Sequence, residues 1–415
     1  MCRVRVLIAG PPPPAFGFAG AFTPQSKRMR FRPVLFVTVL LHLYIGVRIL
    51  PELGALFPAA PWLVAGALTL SVLLMPLGLV ATRIARPPLA DVLTWIGLLF
   101  MGLFSSLFVL TLVRDLALLV LQIAALVVPG QLPLASVRRL SAAAVPVLGL
   151  LASLLGFLNA RRTAAVVRVD VPIRGLAPQW HGFSFAQISD IHVVPTIKQR
   201  YLRRIVNTVN ALDVDVVAVT GDLVDGQVSE LALHVAPLAE LTSRHGTYFV
   251  TGNHEYYSGA HAWIDELRRL GLTVLLNQHV LIRTPGVEHE TLAPLVLAGV
   301  TDFNAGHFDP AHKSDPHAAL AGAPPDASVR ILLAHQPRSA AAAATAGFDL
   351  QLSGHTHGGQ FFPWNLFVRF QQPFTSGLHR LENLWVYTSR GTGYWGPPKR
   401  FGAPSEITLV RLVAG

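Results

Sequence analysis

Four long apolar runs in the first 160 residues constrain this chain most strongly, because each is near the ~20 residues that a membrane-spanning helix needs. They cover residues 34–50, 62–82, 92–113 and 141–160. Buried helices of a soluble core are the alternative, but a series of such runs favours spanning helices. A further uncharged stretch, residues 116–137, is interrupted by prolines and a glycine. It is interpreted either as a fifth span or as a segment at the membrane interface.

The composition agrees with a multi-pass protein of the cell membrane. Of the 415 residues, 52% are hydrophobic and only 13% are charged, which is too apolar for an ordinary soluble protein. The net charge is +10, but the arginines are scattered and are explained by loops that flank membrane helices, so no specific nucleic acid is expected as a partner. The single cysteine, Cys2, excludes an intrachain disulfide and a cysteine-based zinc site.

Residues 1–32 are interpreted as a flexible basic tail, because a proline run at 11–14 is followed by Lys27, Arg28, Arg30 and Arg32. Basic residues that flank a first span stay in the cytoplasm. With four spans the rest of the chain lies on the cytoplasmic side as well, and with five spans it lies outside. The distribution of the loop arginines leans towards four spans and a cytoplasmic domain.

After residue 160 the chain changes to short strands that alternate with polar loops and helices. Residues 161–182 are predicted to form a linker with an early strand, and an α/β domain is predicted over residues 183–415. One helix is predicted over 198–212, because its apolar residues recur on one helical face. The predicted architecture is an N-terminal all-α transmembrane region in residues 33–160, with four or five helices, followed by this α/β domain.

Five predicted strands of the domain end in residues of metal-ligand type. They are Asp190 and His192 after the first strand, Asp222 after the second, Asn253 and His254 after the third, His335 after the fourth, and His355 and His357 after the fifth. Since α/β sheets place their sites beyond the carboxyl ends of strands, these side chains are expected to converge. Oxygen and imidazole ligands without sulfur fit two divalent ions of manganese, iron or zinc. Asp222, a lone carboxylate on a glycine turn, is the natural bridge between two ions.

The same residues form five motifs in a fixed order. They are Asp190-x-His192, Gly221-Asp222, Gly252-Asn253-His254-Glu255, His335 and Gly354-His355-Thr356-His357. This set resembles the calcineurin-like metallophosphoesterases. The glycines and glutamine at 358–360 and the runs 389–393 and 400–407 resemble the membrane-associated YkuE-like branch of that family. The resemblance covers about residues 183–412, and every ligand position of the pattern is filled.

The resemblance implies a four-layer sandwich, in which two mixed sheets are flanked by helices, and it implies a role for each motif residue. Asp190, His192 and His357 would hold a first metal ion, Asn253, His335 and His355 a second, and Asp222 would bridge the two. His254 is not a ligand in the family pattern and is expected to stabilise the transition state or to protonate the departing alkoxide. The implied activity is hydrolysis of a phosphomonoester or phosphodiester by a hydroxide that the two ions generate.

Residues outside the ligand set have two interpretations each. Arg390 either holds a substrate phosphate or forms a structural salt bridge. Asp225 either orients a neighbouring ligand or has no role at the site. The remaining histidines are interpreted as surface residues or as support for the ligands: His181, His234, His245, His261, His279, His289, His307, His312, His317 and His379.

Residues 361–370, here called the aromatic segment, follow His357 closely and contain a single charge, Arg369. The segment is predicted either to pack inside the domain or to form an apolar lip that docks on the membrane or accepts acyl chains. The second interpretation, combined with a domain tethered near the bilayer, suggests a lipid-linked phosphoester as the substrate.

Two other functions remain open from the sequence. One is a membrane transporter or receptor with a non-catalytic phosphoesterase-like domain. It is disfavoured because all ligand positions are filled and because only His42 and Arg48 lie within the predicted spans. The other is a nuclease of the same fold, for which Tyr394 and Trp395 beside Lys399 and Arg400 are a weak indication.

Overall fold

The computed structural model describes residues 31–128, 130, 132–283 and 293–415, so the predicted basic tail lies almost entirely outside the described residues. The described chain begins with four long helices. They are α1 (Phe31–Gly54), α2 (Ala60–Ile84), α3 (Leu89–Val127) and α4 (Leu134–Arg161). Within the described ranges, these four are the helices long and apolar enough to cross a membrane.

Helix α3 decides between four and five spans. It contains 39 residues, which corresponds to about 58 Å of helix. Residues 116–127 of the ambiguous stretch simply continue α3, and residues 134–137 begin α4. The five-helix alternative is therefore wrong for the described chain. Because α3 is about twice as long as a hydrocarbon core of ~30 Å requires, one part of it can span while another contacts the following domain.

A charged cluster ties α1 to α3. Asp115 accepts hydrogen bonds from the hydroxyl of Tyr44 (2.7 Å), Nε of Arg48 (2.7 Å) and Nη1 of Arg114 (3.1 Å). Only His42 and Arg48 lie within the predicted spans, and the structure adds Arg114 and Asp115, which are inside α3. Charges in a membrane bundle are costly unless they are paired, and here they are paired with one another.

Shorter elements follow α4, and the part of the chain that the structure describes holds twelve strands and six further α-helices. In chain order they are β1 (Ala165–Ile173), β2 (Ser184–Ile188), α5 (Gln199–Asn210), β3 (Val216–Val219), α6 (Val228–Val235), β4 (Thr247–Phe249), α7 (Asn253–Ser258), α8 (Ala260–Arg269), β5 (Thr273–Val274), β6 (Gln278–Ile282), β7 (Leu295–Gly299), α9 (Pro316–Ala319), β8 (Val329–Leu333), α10 (Ala340–Ala346), β9 (Leu350–Ser353), β10 (Gly377–Leu381), β11 (Leu384–Thr388) and β12 (Glu406–Ala414). The helix predicted over 198–212 is present as α5 and buries its apolar face. Strand β1 lies within residues 161–182, so three residues separate α4 from the first sheet.

The strands form two mixed sheets of six strands each among the described residues, in the orders β1-β12-β2-β3-β4-β5 and β10-β11-β9-β8-β7-β6. Successive side chains of a strand point to opposite faces. In β3, Val216 and Ala218 contact residues of the second sheet, whereas Val217 and Val219 pack towards α5, α6 and α8. Helices α9 and α10 cover the outer face of the second sheet. The predicted four-layer sandwich is confirmed.

The sandwich is seated directly on α3 and α4. Lys399 is buried, and its Nζ donates to the carbonyl of Gly102 (2.9 Å) and to the hydroxyl of Ser106. The backbone N–H of Arg400 donates to the carbonyl of Gly156 in α4 (2.8 Å). The two residues of α3 that make these contacts, Gly102 and Ser106, lie in its N-terminal half. The rest of this helix, residues 107–127, is about 31 Å long, which matches one hydrocarbon core.

Candidate metal centre

The candidate ligands lie at the carboxyl ends of five strands. Asp190 and His192 follow β2, Asp222 follows β3, Asn253 follows β4, His335 follows β8, and His355 and His357 follow β9. The first three strands belong to one sheet and the last two to the other. The structure therefore brings these side chains together where the carboxyl edges of the two sheets meet.

One group consists of Asp190, His192 and His357. The Nε2 atoms of the two imidazoles are 3.0 Å apart, and Nε2 of His357 is 3.5 Å from Oδ1 of Asp190. All three residues are buried. Their ligand atoms lie within 4.8 Å of one another, so a single divalent cation fits between them with small side-chain adjustments.

A second group consists of Asp222, His335 and His355. Nε2 of His335 is 3.1 Å from Oδ2 of Asp222 and 3.1 Å from Nδ1 of His355. Oδ2 of Asp222 is also 3.9 Å from Nε2 of His192, so this carboxylate lies between the two groups. Oδ1 of Asn253 is buried and has no hydrogen-bond partner among the described residues. Because an orphaned buried acceptor costs free energy, a cation beside Asn253 would compensate for it.

The backbone adopts an unusual conformation at the site. Nine non-glycine residues in the described ranges have a positive φ, and five of them are Asp190, His192, Asp222, His355 and His357, with φ between 51° and 70°. Residues other than glycine rarely adopt this left-handed backbone conformation. Backbone strain of this kind concentrates at functional sites. The loops after β3 and β4 also approach each other closely. A Cβ added at Gly252 would lie 2.5 Å from the backbone nitrogen of Asp222.

Groups behind the ligands orient the imidazoles. Oδ1 of Asp225 is 3.1 Å from Nδ1 of His192 and 2.5 Å from Nδ1 of His254. One carboxylate thus holds both rings and leaves their Nε2 atoms for the site, as the orienting interpretation of Asp225 predicts. Nδ1 of His335 contacts the carbonyl oxygen of Thr220 at 2.8 Å. Such hydrogen bonds select the ligating nitrogen and raise its basicity.

Glu255 is a residue whose role is not indicated by the sequence. It is fully buried and accepts backbone hydrogen bonds from Gly252 (2.7 Å), Asp222 (3.0 Å) and Leu223 (2.7 Å). Burial, followed by the charge of Asp222, raises the pKa of Glu255 to about 7. The side chain joins the loops after β3 and β4. The only signal in the sequence was its position next to His254.

Arg400 is a second residue whose contact with a candidate ligand was not predicted from the sequence. It is fully buried, donates to the carbonyl oxygen of His357 (2.9 Å), and its Nη2 is 3.1 Å from Nδ1 of that histidine. Its neighbour Lys399 is anchored between α3 and α4. Two consecutive residues therefore connect the membrane helices to a candidate ligand.

Burial and neighbouring charges shift the pKa values of the site in both directions. Burial opposes ionisation of Asp222, but the imidazoles of His335 and His254 hold its pKa well below the usual range. Burial, reinforced by the charge of His335, lowers the pKa of His355 to about 3. Burial and the guanidinium of Arg400 hold the pKa of His357 well below its ordinary value. Burial opposes protonation of His335, but the carboxylates of Asp222 and Asp190 hold its pKa well above the ordinary value, and burial raises the pKa of Asp190. Because carboxylates and neutral imidazoles are the forms that bind divalent metals, a cation bound here would release the proton of His335.

Arg390 forms a salt bridge, with Nε 2.6 Å from Oε2 of Glu406, and its side chain is 30% exposed. The geometry corresponds to the structural interpretation of this residue, and a contact with a substrate phosphate stays a prediction.

The aromatic segment is not packed inside the domain, so that interpretation is wrong. Phe362, Trp364, Phe367 and Phe370 are between 43% and 68% exposed. Nε1 of Trp364 donates to the hydroxyl of Ser105 in α3 at 3.1 Å. The segment therefore lies at the surface, beside the membrane helices.

Several known proteins are similar to this chain in sequence. Residues 183–359 match the family described as calcineurin-like phosphoesterase. A transmembrane protein with metallophosphoesterase domain from Bos taurus is 43% identical over 268 residues, covering 63% of this chain and 60% of the relative. An uncharacterised metallophosphoesterase of Aquifex aeolicus is 32% identical over 226 residues, covering 54% and 82%. The uncharacterised metallophosphoesterase YkuE of Bacillus subtilis is 28% identical over 239 residues, covering 56% and 79%.

The chain spans about three fifths of the bovine relative and of its counterpart in Danio rerio. The four apolar helices and the similarity to these transmembrane proteins identify a membrane protein. The family match runs from the residue before β2 to the glycines after His357, and so includes all seven candidate ligands. This chain therefore belongs to the calcineurin-like metallophosphoesterase family.

Proposed function

We propose that this protein is a membrane-anchored hydrolase that uses two divalent ions to cleave phosphomonoesters or phosphodiesters. The observation that carries the proposal is the pair of ligand groups on either side of Asp222. Manganese, iron and zinc ions all suit oxygen and imidazole donors of this kind. The test is hydrolysis of a chromogenic phosphodiester by the metal-loaded full chain, compared with the Asp222→Asn variant described in the Discussion.

Two divalent ions at this site would supply Lewis acidity and lower the pKa of a bound water towards neutrality. The chain's own contribution to proton transfer centres on His254. Its Nδ1 is held by Asp225, and its Nε2 is 4.0 Å from Oδ2 of Asp222. Burial lowers the pKa of His254, but the carboxylates of Asp225 and Asp222 outweigh burial and raise this pKa to about 9. Without metal ions, these two carboxylates thus favour the protonated form of His254, the form that donates to a leaving oxygen.

The two alternative functions have less support. A transporter or receptor with a non-catalytic domain would not require all seven candidate ligands, yet all are retained. The charged side chains of the cluster around Asp115 are hydrogen-bonded to one another, between α1 and α3 and within α3. A nuclease would need a basic groove, but Lys399 is buried against α3 and Arg400 is buried behind His357.

We further propose that the phosphoester is attached to a lipid. The aromatic segment begins four residues after His357 and exposes its rings beside α3. Tryptophan and phenylalanine rings next to an arginine suit the boundary between headgroups and acyl chains. Gln360 joins the segment to the rim of the site, because its side chain bonds both the backbone N–H and the carbonyl of Trp395 at 2.8 Å. The Trp395 ring is in turn 5.8 Å from the ring of His254.

Trp364→Ala is expected to lower kcat/KM for a lipid phosphodiester in mixed micelles by about 10-fold, since ~1.5 kcal/mol of apolar burial is lost. The rate with a soluble cyclic nucleotide should not change. Leu233→Ala, at a leucine of α6 that is 80% exposed, is the matched control and should leave both rates unchanged. Equal effects of Trp364→Ala on the two substrates would remove the lipid proposal but leave the hydrolase proposal intact.

We also propose that the catalytic domain faces the cytoplasm. Four spans return the chain to the side of the basic residues 27–32, and such residues stay inside. A fluorescent reporter that matures only in the cytoplasm, fused after Gly415, should be active. An alkaline phosphatase reporter at the same position, active only outside, should be silent. The opposite pattern would show that the chain is inverted.

A further inference from the structure

A group of metal-ligand side chains lies outside the centre described above. It consists of His261, the second residue of α8, and of Asp309 and His312 on the loop between β7 and α9. We call it the surface cluster. Nε2 of His261 is 3.0 Å from Oδ2 of Asp309, and the two imidazole centroids are 4.9 Å apart. One ligand atom of each residue lies within 4.8 Å of the others.

Two members of the surface cluster are held in place by neighbours. Oδ1 of Asp309 accepts a hydrogen bond from the backbone N–H of Ala311 (2.9 Å), which leaves Oδ2 for another partner. Nδ1 of His312 is engaged by the hydroxyl of Tyr256 (2.9 Å), which leaves Nε2. His261 is 72% exposed, and its Nε2 contacts Oδ2 of Asp309. A rotation of this one side chain can bring the ligand atoms to the ~3.3 Å spacing that tetrahedral zinc requires.

The cluster is connected to the helix that carries His254. Tyr256 of α7 packs on Phe308 of the same loop, with ring centroids 5.6 Å apart. Tyr257 packs on Phe308 at 5.6 Å and on the His254 ring at 5.2 Å. A cation that joins His261 to this loop would fasten the loop onto α7 and α8, and so would brace one wall of the site.

We propose that His261, Asp309 and His312 bind a zinc ion at the protein surface, separate from the two ions of the phosphoesterase centre. Two imidazoles and a carboxylate, with a fourth position open to water, form a ligand set typical of zinc. The two nitrogen donors disfavour calcium and magnesium, which prefer oxygen. The proposal concerns a further binding site and holds whether or not the chain hydrolyses phosphoesters.

The test uses the full chain in detergent micelles, first loaded with Mn²⁺. Zinc is then added to the wild type, to His261→Gln and to His317→Gln, and bound zinc is counted by elemental analysis after free metal is removed. The wild type and His317→Gln should each hold about one more zinc per chain than His261→Gln. Their thermal transitions should also rise by a few degrees more on zinc addition.

His317→Gln is the matched control, because His317 is an exposed histidine that contacts the hydroxyl of Thr345 rather than the surface cluster. Zinc that displaces Mn²⁺ from the centre adds equally to all three proteins, so the difference between them reports the cluster alone. His312→Gln should reproduce the loss seen with His261→Gln. Equal zinc counts and equal thermal shifts in the wild type and His261→Gln would overturn the proposal.

Discussion

Asp222→Asn is expected to lower the rate of phosphodiester hydrolysis by more than about 10²-fold, because loss of even an outer partner of a metal ligand typically costs 10–100-fold. Asp222 lies between the two ligand groups, with Oδ2 3.1 Å from Nε2 of His335 and 3.9 Å from Nε2 of His192. An amide has the same shape but carries no charge to offset two cations. We therefore expect the metal content of the full chain after Mn²⁺ loading to fall together with the rate.

Asp326→Asn is the matched control for this change, since it removes a carboxylate at an exposed position. Wild type and Asp326→Asn should retain about two ions per chain and equal rates. If the wild type holds close to no metal after loading, the two-ion proposal fails. If Asp222→Asn keeps both ions and full activity, Asp222 is not the bridge.

His254→Ala is expected to retain the metal ions and to lose about 10²–10⁴-fold in kcat, which is the usual contribution of a general acid. The first reason is geometric: Nδ1 of His254 is held at 2.5 Å by Asp225, and neither of the two ligand groups includes His254. His192, Asp225 and His254 also lie close enough together to hold an ion, so the metal content of the variant decides between the two roles. The second is its protonation, because the neighbouring carboxylates raise its pKa to about 9. Metal analysis of the variant distinguishes a proton donor from a ligand, which would lose an ion.

The choice of leaving group sharpens this test. A nitrophenolate leaves without a proton, whereas an alkoxide needs one. His254→Ala should therefore lose more activity with an alkyl phosphodiester than with a nitrophenyl one. Equal losses on both substrates would assign His254 to charge stabilisation instead, and an unchanged rate would remove the residue from the mechanism.

The candidate ligands and the fold class were predictable because their signals are local. Asp190, Asp222 and His335 each follow a short apolar run, and ligand-type residues at successive strand ends must converge at a sheet edge. The apolar runs likewise report membrane helices, since their length is set by the bilayer alone. Prediction of the spans was less accurate where an apolar run was interrupted. Residues 116–137 left a fifth span open, yet most of them continue α3, in which Asp115 pairs with Arg48 and Tyr44 of α1.

Sequence alone was therefore sufficient to predict a region of membrane helices, the alternating α/β order and a set of candidate ligands, whereas the number of helices was decided by the structure. Tertiary structure alone revealed the exposure of the aromatic segment, the brace that Arg400 provides behind His357, and the meeting of His261 with Asp309 and His312. The physical reason is distance along the chain. Lys399 and Ser106, whose contact seats the domain on the bundle, are 293 residues apart. Local periodicity reports only which face of an element is apolar, and the choice of partner for that face is made by packing between elements.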